Sequence, residues 1–297
     1  MSKKMEQKRS GMITPIDYKS SRSVRMAYWL MFAFLLLMIV VCVAPILFAF
    51  FSGFKTIDEF YALNVKLMPE KIELSKMFDI IKTLELGRAF GNSIIIFALQ
   101  WFGNIIVGGV AGYTISRLQP KGARMLFKLM LWTMMMPGTL SMVPMFMLWA
   151  NFPIIHISFL NTFVPFAIGA FANIFHILMF KNFFDGIPTS FIEAAKIDGA
   201  SNMGIFFKVV MPLSKPIIMT ISIFVFTTSW NNFMEPFLYL KDPKLAPVAL
   251  KLYTVTQHYT EPQVLLTAFL ICIPVLIVYS IFSSQILNND MSAGIKE

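Results

Sequence analysis

The sequence predicts an all-α membrane protein with six transmembrane helices, a cytoplasmic helix-turn-helix element and both termini in the cytoplasm. The first observation is composition: of 297 residues, 57% are hydrophobic and only 14% are charged, unlike a soluble globular domain. The second is length, because a hydrocarbon core of about 30 Å takes roughly 20 apolar residues of helix. The stretches that meet this requirement are residues 26–50, 89–116, 123–148, 160–180, 216–239 and 263–286.

The third observation is the distribution of Lys and Arg. Most of them lie before the first span, in the loop after the second span, and in residues 181–215. Cytoplasmic segments of membrane proteins carry an excess of these residues, which places both termini and the 181–215 segment in the cytoplasm. The net charge of +9 is then a topology signal and a contact with lipid headgroups, and it requires no nucleic acid partner.

This topology divides the chain into three parts. A basic cytoplasmic segment, residues 1–25, precedes a six-helix transmembrane domain, residues 26–286, and a cytoplasmic tail, residues 287–297, follows it. The transmembrane domain includes an external segment at 51–88 and a cytoplasmic loop at 182–215. The first span is longer than the apolar region of a signal peptide and no A-x-A site follows it, so we expect it to remain as an anchor.

No pattern in the sequence indicates catalysis. Cys42 and Cys272 both fall inside spans and lack the spacing of a zinc site. A glycine-rich phosphate loop, an H-E-x-x-H helix and a G-x-S-x-G turn are also absent from the sequence. We therefore expect no enzyme activity, no catalytic or metal-binding residues, and no cofactor bound by this chain.

Several spans carry residues that are unusual for a lipid-facing helix. Pro137, Gly138 and Pro144 predict a kink in the third span, and Gly108 with Gly112 predicts a helix-packing surface in the second. His176, alone in the fourth span, is expected to be a hydrogen-bonded packing residue.

The fifth span ends in a polar cluster. Asn231, Asn232 and Glu235 lie near its outer end, where polar groups need protein or water as neighbours, so they are candidates for a solute pathway. The alternative is that they mark the interfacial end of the helix beside Trp230.

The segment between the fourth and fifth spans has the pattern of two short helices. Three charged residues within six positions, Glu193, Lys196 and Asp198, exclude burial in lipid. Ser190 and Glu193 have capping-box spacing and Gly199 is placed to end the helix, which predicts about nine helical residues. Ser201 is placed to cap a second helix that closes before the fifth span.

This pair of helices has two interpretations. Small residues at 194, 195, 199 and 200 would allow another protein surface to approach closely, as in a docking element. The pair could equally be a cap that only stabilises its own helical bundle. The residue pattern alone does not choose between them.

The same segment resembles the signature of binding-protein-dependent ABC importer permeases. That signature is E-A-A, then three residues, then Gly, then nine residues. It ends in an aliphatic residue, any residue, a second aliphatic residue and Pro. Its positions in this chain are Glu193, Ala194, Ala195, Gly199, Val209, Met211 and Pro212. The preceding IPTSF and the sequence Asp198-Gly-Ala are similar to the carbohydrate-uptake branch and to the smaller permease of the maltose-type system. AGYTISRLQPKGARMLF from Ala111, SWNNF from Ser229 and the terminal SAGIKE extend the resemblance.

The resemblance implies an import complex in a bacterial-type cytoplasmic membrane. It implies a second homologous permease, an extracytoplasmic solute-binding protein, a sugar as substrate, and two ATPase subunits that bind ATP and Mg. The implied ATPase-coupling residues are Glu193, Ala194, Ala195, Asp198, Gly199 and Pro212. The family typically has an acid after W-N in the fifth span, whereas this chain has Asn232 there and an acid at Glu235.

Two other classes of function compete with this interpretation. An ion-coupled secondary transporter of a small polar solute usually has intramembrane carboxylates and paired broken helices in two related halves. Here Glu235 is the only acid within a predicted span, and no internal repeat is visible. A membrane-embedded enzyme or scaffold is disfavoured because no acid, base and nucleophile set is present.

Overall fold

The computed structural model describes residues 22–63 and 66–293, and within these ranges the regular secondary structure is entirely helical. Most of the predicted N-terminal segment and the last residues of the predicted tail lie outside the described residues. The helices are α1 (Arg22–Gly53), α2 (Ile57–Phe60), α3 (Ser75–Thr83), α4 (Leu86–Leu118), α5 (Ala123–Met134), α6 (Met142–Ala150), α7 (Val164–Gly169), α8 (Ile174–Asp185), α9 (Thr189–Ile197), α10 (Asn202–Leu213), α11 (Lys215–Asn231), α12 (Met234–Tyr239), α13 (Val248–His258) and α14 (Glu261–Ala293).

The described helices provide four spans, or six if each of two bent pairs counts as one. Helix α1, helix α4, the segment Val164–Asp185 and the first part of α14 are each long and apolar enough to cross a membrane. The pair α5 and α6 is bent by 96°, and the pair α10 and α11 by 78°. The first bend confirms the kink predicted at Pro137, which has extended backbone before the turn Gly138–Ser141. Pro144 lies in the first turn of α6, where its missing N–H costs no hydrogen bond.

The predicted fifth span, 216–239, is wrong as one continuous helix. Helix α11 ends at Asn231, and Asn232 adopts an extended conformation before α12 begins at Met234. The side-chain oxygen of Asn232 accepts a hydrogen bond from the Glu235 N–H at 3.3 Å. This local bond replaces a helical one, which is how Asn commonly interrupts a helix.

The external segment also differs from its predicted packing. The spacing of Phe78, Ile81 and Leu84 predicts a short amphipathic helix with these side chains on one apolar face. Helix α3 forms there, and Ile80 and Leu84 are buried against α14 and α4. Phe78, expected on the buried face, is instead 71% exposed. The buried face is therefore rotated towards Ile80 and Met77.

Close helix contacts depend on glycine at two positions. A Cβ on Gly112 in α4 would lie 2.7 Å from Phe180 Cβ and 3.0 Å from the Lys181 nitrogen of α8. A Cβ on Gly53 in α1 would lie 2.6 Å from Leu266 Cβ of α14. These contacts confirm that Gly112 belongs to a helix-packing surface, and they place α4 beside α8 and α1 beside α14.

Candidate functional site

Helices α9 and α10, joined by the turn at 198–201, form a helical knob at the end of α8. Its inward side chains, among them Ile192 of α9 and Phe206 of α10, join a buried cluster with Tyr113 of α4 and Phe184 of α8. Ile221 and Val225 of α11 complete this cluster. The knob is therefore packed directly onto three membrane helices.

The turn within the knob depends on Gly199. Its φ is +77°, a left-handed conformation that L side chains rarely adopt. The Ala200 N–H donates to the Ala195 carbonyl and the Gly199 N–H to the Lys196 carbonyl, each at 3.0 Å. These are the two bonds of a Schellman motif, so the predicted helix-ending role of Gly199 is confirmed.

The two predicted helix starts in the knob have different outcomes. Ser201 Oγ accepts a hydrogen bond from the Gly204 N–H at 3.1 Å, so this N-cap is confirmed. The predicted capping box of Ser190 and Glu193 is wrong. Helix α9 begins one residue earlier, at Thr189, and is preceded by Pro188 without a side-chain cap. Ser190 consequently lies inside the first turn, where its hydroxyl cannot cap.

The outer surface of the knob combines charge with exposed apolar side chains. Glu193, Ala194, Asp198 and Pro212 are exposed, whereas Ala195 is partly packed against the buried cluster. Neither Glu193 nor Asp198 forms an ion pair with any other described residue. Between them, Ile197 is 87% exposed.

Arg117, at the end of α4, connects that helix to the start of the knob. Its guanidinium donates to the main-chain carbonyls of Phe184 and Ile187 at the end of α8, and the Phe184 carbonyl also accepts from the Ile187 N–H at 3.1 Å. The neighbouring Ser116 Oγ donates to Asp185 at 2.6 Å, and Lys181 pairs with the same carboxylate at 2.6 Å. Sequence analysis missed this role, since Arg117 resembled any other basic residue at a membrane boundary.

A second candidate site is a cavity of about 260 Å³ between α4, α6, α7, α8, α11 and α12. Its polar lining residues are Gln100, Asn104, Asn173, His176, Thr228, Asn232, Glu235 and Tyr239. Of the predicted solute-pathway residues, Asn232 and Glu235 line the cavity, and Asn232 Nδ2 donates to Glu235 Oε2 at 2.7 Å. Asn231 does not line it, and its amide donates to the Thr227 carbonyl at 2.9 Å.

His176 has a hydrogen bond, as predicted, and also lines the cavity, which was not predicted. Its Nδ1 lies 2.6 Å from Asn104 Oδ1, while Asn104 Nδ2 donates to the Gln100 carbonyl at 2.8 Å. Because the amide oxygen can only accept, Nδ1 carries the proton and Nε2 is left as an acceptor. No pattern in the sequence placed this residue in a cavity, because its partner Asn104 is 72 positions away.

Apolar helices that enclose a polar cavity and end in an exposed helical knob have the architecture of an integral membrane transport protein. The chain belongs to the family of binding-protein-dependent transport system inner membrane components, whose model matches residues 104–292. The match includes the knob and every residue that lines the cavity except Gln100.

Individual relatives are sugar transport permeases. The chain is 32% identical to the polygalacturonan/rhamnogalacturonan transport system permease protein YtcP of Bacillus subtilis, over 75% of this chain and 76% of the relative. It is 27% identical to the diacetylchitobiose uptake system permease protein NgcG of Streptomyces coelicolor, over 86% and 84%.

A solved structure has the same fold. It is a chain of a bacterial ABC transporter involved in the import of the acidic polysaccharide alginate, which is 24% identical to this chain. The superposition has a TM-score of 0.76 and covers 89% of this chain and 98% of that chain.

Proposed function

We propose that this chain is a membrane-spanning subunit of an ATP-driven importer that moves a sugar or oligosaccharide into the cytoplasm. The observation that carries the proposal is the helical knob, whose base is packed into the membrane bundle. Its tip exposes Ile197 and two carboxylates, Glu193 and Asp198, that form no ion pair with any residue the structure describes. In this proposal residues 190–212 dock on a separate ATPase subunit, and Glu193 pairs with basic groups or helix N-termini there.

The buried cluster under the knob supports a mechanical coupling mechanism. ATP-driven closure of two ATPase subunits, which bind ATP and Mg, would displace the knob together with α4, α8 and α11. A second permease subunit would supply the other half of the pathway, so that closure shifts the pair between inward-facing and outward-facing states. The basic residues near the knob support a cytoplasmic location for it.

The opposite end of the bundle is the proposed docking surface for a solute-binding protein. It comprises the external segment 51–88 and residues 240–262, which include α2, α3 and α13. Residues 240–262 are tied to α4, since Asn92 donates to the Lys244 and Ala246 carbonyls and Ser93 accepts from the Val248 N–H. The external segment packs beside α4 through Leu84, which shares a buried cluster with Leu86. A loaded receptor bound there would contact a surface that is connected to the solute cavity.

The charge of the cavity favours an uncharged, hydroxyl-rich solute in this half of the pathway. Among the described residues that line it, Glu235 is the only carboxylate, and neither Lys nor Arg is present. Amides, the hydroxyls of Thr228 and Tyr239, and the acceptor nitrogen of His176 suit sugar hydroxyls. One relative is named for polygalacturonan/rhamnogalacturonan transport and another for diacetylchitobiose uptake, so the charge of the solute is a distinction among relatives.

Affinity purification of the full chain from gently solubilised membranes tests the ATPase contact. We expect the wild type to recover an ATPase and a second permease, and Glu193→Lys to lose the ATPase but retain the permease. Glu73→Lys, the same charge change on an exposed residue outside the knob, is the control and should retain both.

The opposite result would favour the alternative function. If wild type and both variants are recovered without any ATPase, and uptake responds to an ion gradient instead of ATP, the chain is an ion-coupled secondary transporter. Retention of the ATPase by Glu193→Lys at the wild-type level would contradict only the assigned contact.

A further inference from the structure

The loop between α4 and α5 forms a basic cavity that the transport mechanism does not use. The cavity has a volume of about 520 Å³ and is lined by residues 115, 119–124, 127 and 181. Three of these residues, Lys121, Arg124 and Lys181, are cations, and none is an acid. The cavity lies beside the base of the knob, because Lys181 belongs to the same turn of α8 as Asp185.

The positive charge of this cavity is only partly neutralised. Lys181 pairs with Asp185 at 2.6 Å, and Asp185 also accepts from Ser116. Lys121 and Arg124 form no ion pair with any residue that the structure describes. The first turn of α5 has no side-chain cap, so its free N–H groups add partial positive charge to that of the two side chains.

The surroundings of the cavity are those of a membrane boundary. The loop 119–122 joins the end of one span, Leu86–Leu118, to the start of the next apolar helix, α5. Leu118, Met125 and Leu126, which flank the cavity, are exposed, and Ile115 and Phe127 give it apolar walls. Lys181 lies 5.1 Å from the centre of the Phe127 ring, which holds the cation against one of these walls.

We propose that this cavity binds the headgroup of an anionic phospholipid. The phosphate would contact Lys121 and Arg124, and the acyl chains would lie along the exposed apolar face of α4 and α5. A soluble phosphate has the same charge but gains nothing from the apolar walls and flanks, which is why the lipid is the favoured occupant. Basic pockets between transmembrane helices bind anionic lipid headgroups in this way.

Native mass spectrometry of the detergent-purified full chain tests the proposal. The probes are dioleoyl-phosphatidylglycerol, dioleoyl-phosphatidylcholine and inorganic phosphate. We expect one equivalent of phosphatidylglycerol to bind in preference to phosphatidylcholine, and Lys121→Gln with Arg124→Gln to weaken it about 30-fold. This factor corresponds to ~1 kcal/mol for each cation near an anionic surface.

A matched variant and a conservative variant serve as controls. The double variant Arg25→Gln with Lys128→Gln also removes one arginine and one lysine, but from exposed positions that do not line the cavity. It should keep the wild-type affinity for phosphatidylglycerol. Lys121→Arg with Arg124→Lys should also retain binding, which separates loss of charge from misfolding.

Three results would overturn the lipid site. The first is equal phosphatidylglycerol affinity in the wild type and the Lys121/Arg124 double variant. The second is an equal loss of this affinity in the Arg25/Lys128 control, and the third is displacement of the lipid by millimolar phosphate. The last would assign the cavity to a soluble anion. None of these results depends on the solute or on the ATPase.

Discussion

At the scale of single residues, Gly199 is the position where conformation and proposed docking depend most directly on the residue type. An added Cβ would meet no atom within 4 Å, so substitution is not blocked by steric overlap. The positive φ is the constraint, because a left-handed conformation costs an L side chain about 1–2 kcal/mol. A β-branched residue would therefore shift the turn that separates α9 from α10.

Replacement of Gly199 by Val should leave membrane insertion intact and abolish transport. The turn would open, Ile197 and Asp198 would change position, and the ATPase contact would be lost. Gly199→Asn is the informative companion, because Asn tolerates the left-handed conformation and should keep much of the activity. Abundance in the membrane fraction and ATP-dependent uptake are the measurements.

Gly87 provides the control for this experiment. It lies near the start of α4, also has open space around a built Cβ, and has no positive φ. Gly87→Val should consequently transport like the wild type. Normal uptake by Gly199→Val would argue against docking at this turn.

At the scale of secondary-structure elements, the packing of α4 against α8 connects the cavity to the knob. His176 and Asn104 face each other across this pair in the cavity, and Arg117 and Phe184 meet at its other end. Between the two contacts, Gly112 allows the helix backbones to approach closely. The proposed coupling between the knob and the cavity would therefore act along this pair.

Gly112→Ala should destabilise the protein by about 1–3 kcal/mol, since the new methyl group would force α4 away from α8. Gly91→Ala, in the same helix, has open space at its Cβ and gains helix propensity, so its stability should match or exceed that of the wild type. The measurement is the thermal unfolding midpoint of both variants in one detergent. Equal midpoints would show that the close approach of α4 and α8 contributes little.

Much of the element structure could be predicted from the sequence, because it depends on local properties. Apolar length located the spans, Pro137 located a bend, and Gly199 with Ser201 located the turn in the knob. The remainder depends on contacts between distant residues. The rotation of α3 towards Ile80 is set by α14 and α4, and the place of His176 in the cavity is set by Asn104.

The same distinction explains the corrected capping box. Ser190 and Glu193 have the right spacing, but Pro188 provides a fixed φ that allows α9 to start at Thr189. Spacing alone therefore located the helix and missed its first residue. At the candidate site, charge and capping residues predicted the helices of the knob and the family signature added their coupling role, whereas Arg117 and the cavity required the assembled structure.

At the scale of the whole molecule, solute choice should depend on the charge of the cavity in the assembled transporter. Glu235 is the one carboxylate among the described lining residues, and it is oriented by the Asn232 amide. A carboxylate accepts hydrogen bonds from sugar hydroxyls more strongly than an amide does, and it repels the carboxylate of a uronate. Both effects should favour uncharged saccharides.

Glu235→Gln should therefore lower kcat/KM for an uncharged oligosaccharide about fivefold, corresponding to ~1 kcal/mol between a charged and a neutral hydrogen bond. Uptake of the matching uronate should fall less or rise. Asn231→Leu changes a neighbouring residue outside the cavity and should have no effect on either solute. The measurement is solute uptake by the reconstituted transporter. The solute to use is the one that stabilises the co-purified solute-binding protein. An equal decrease for both solutes in Glu235→Gln would mean that this carboxylate supports the fold of α12 and takes no part in selecting the solute.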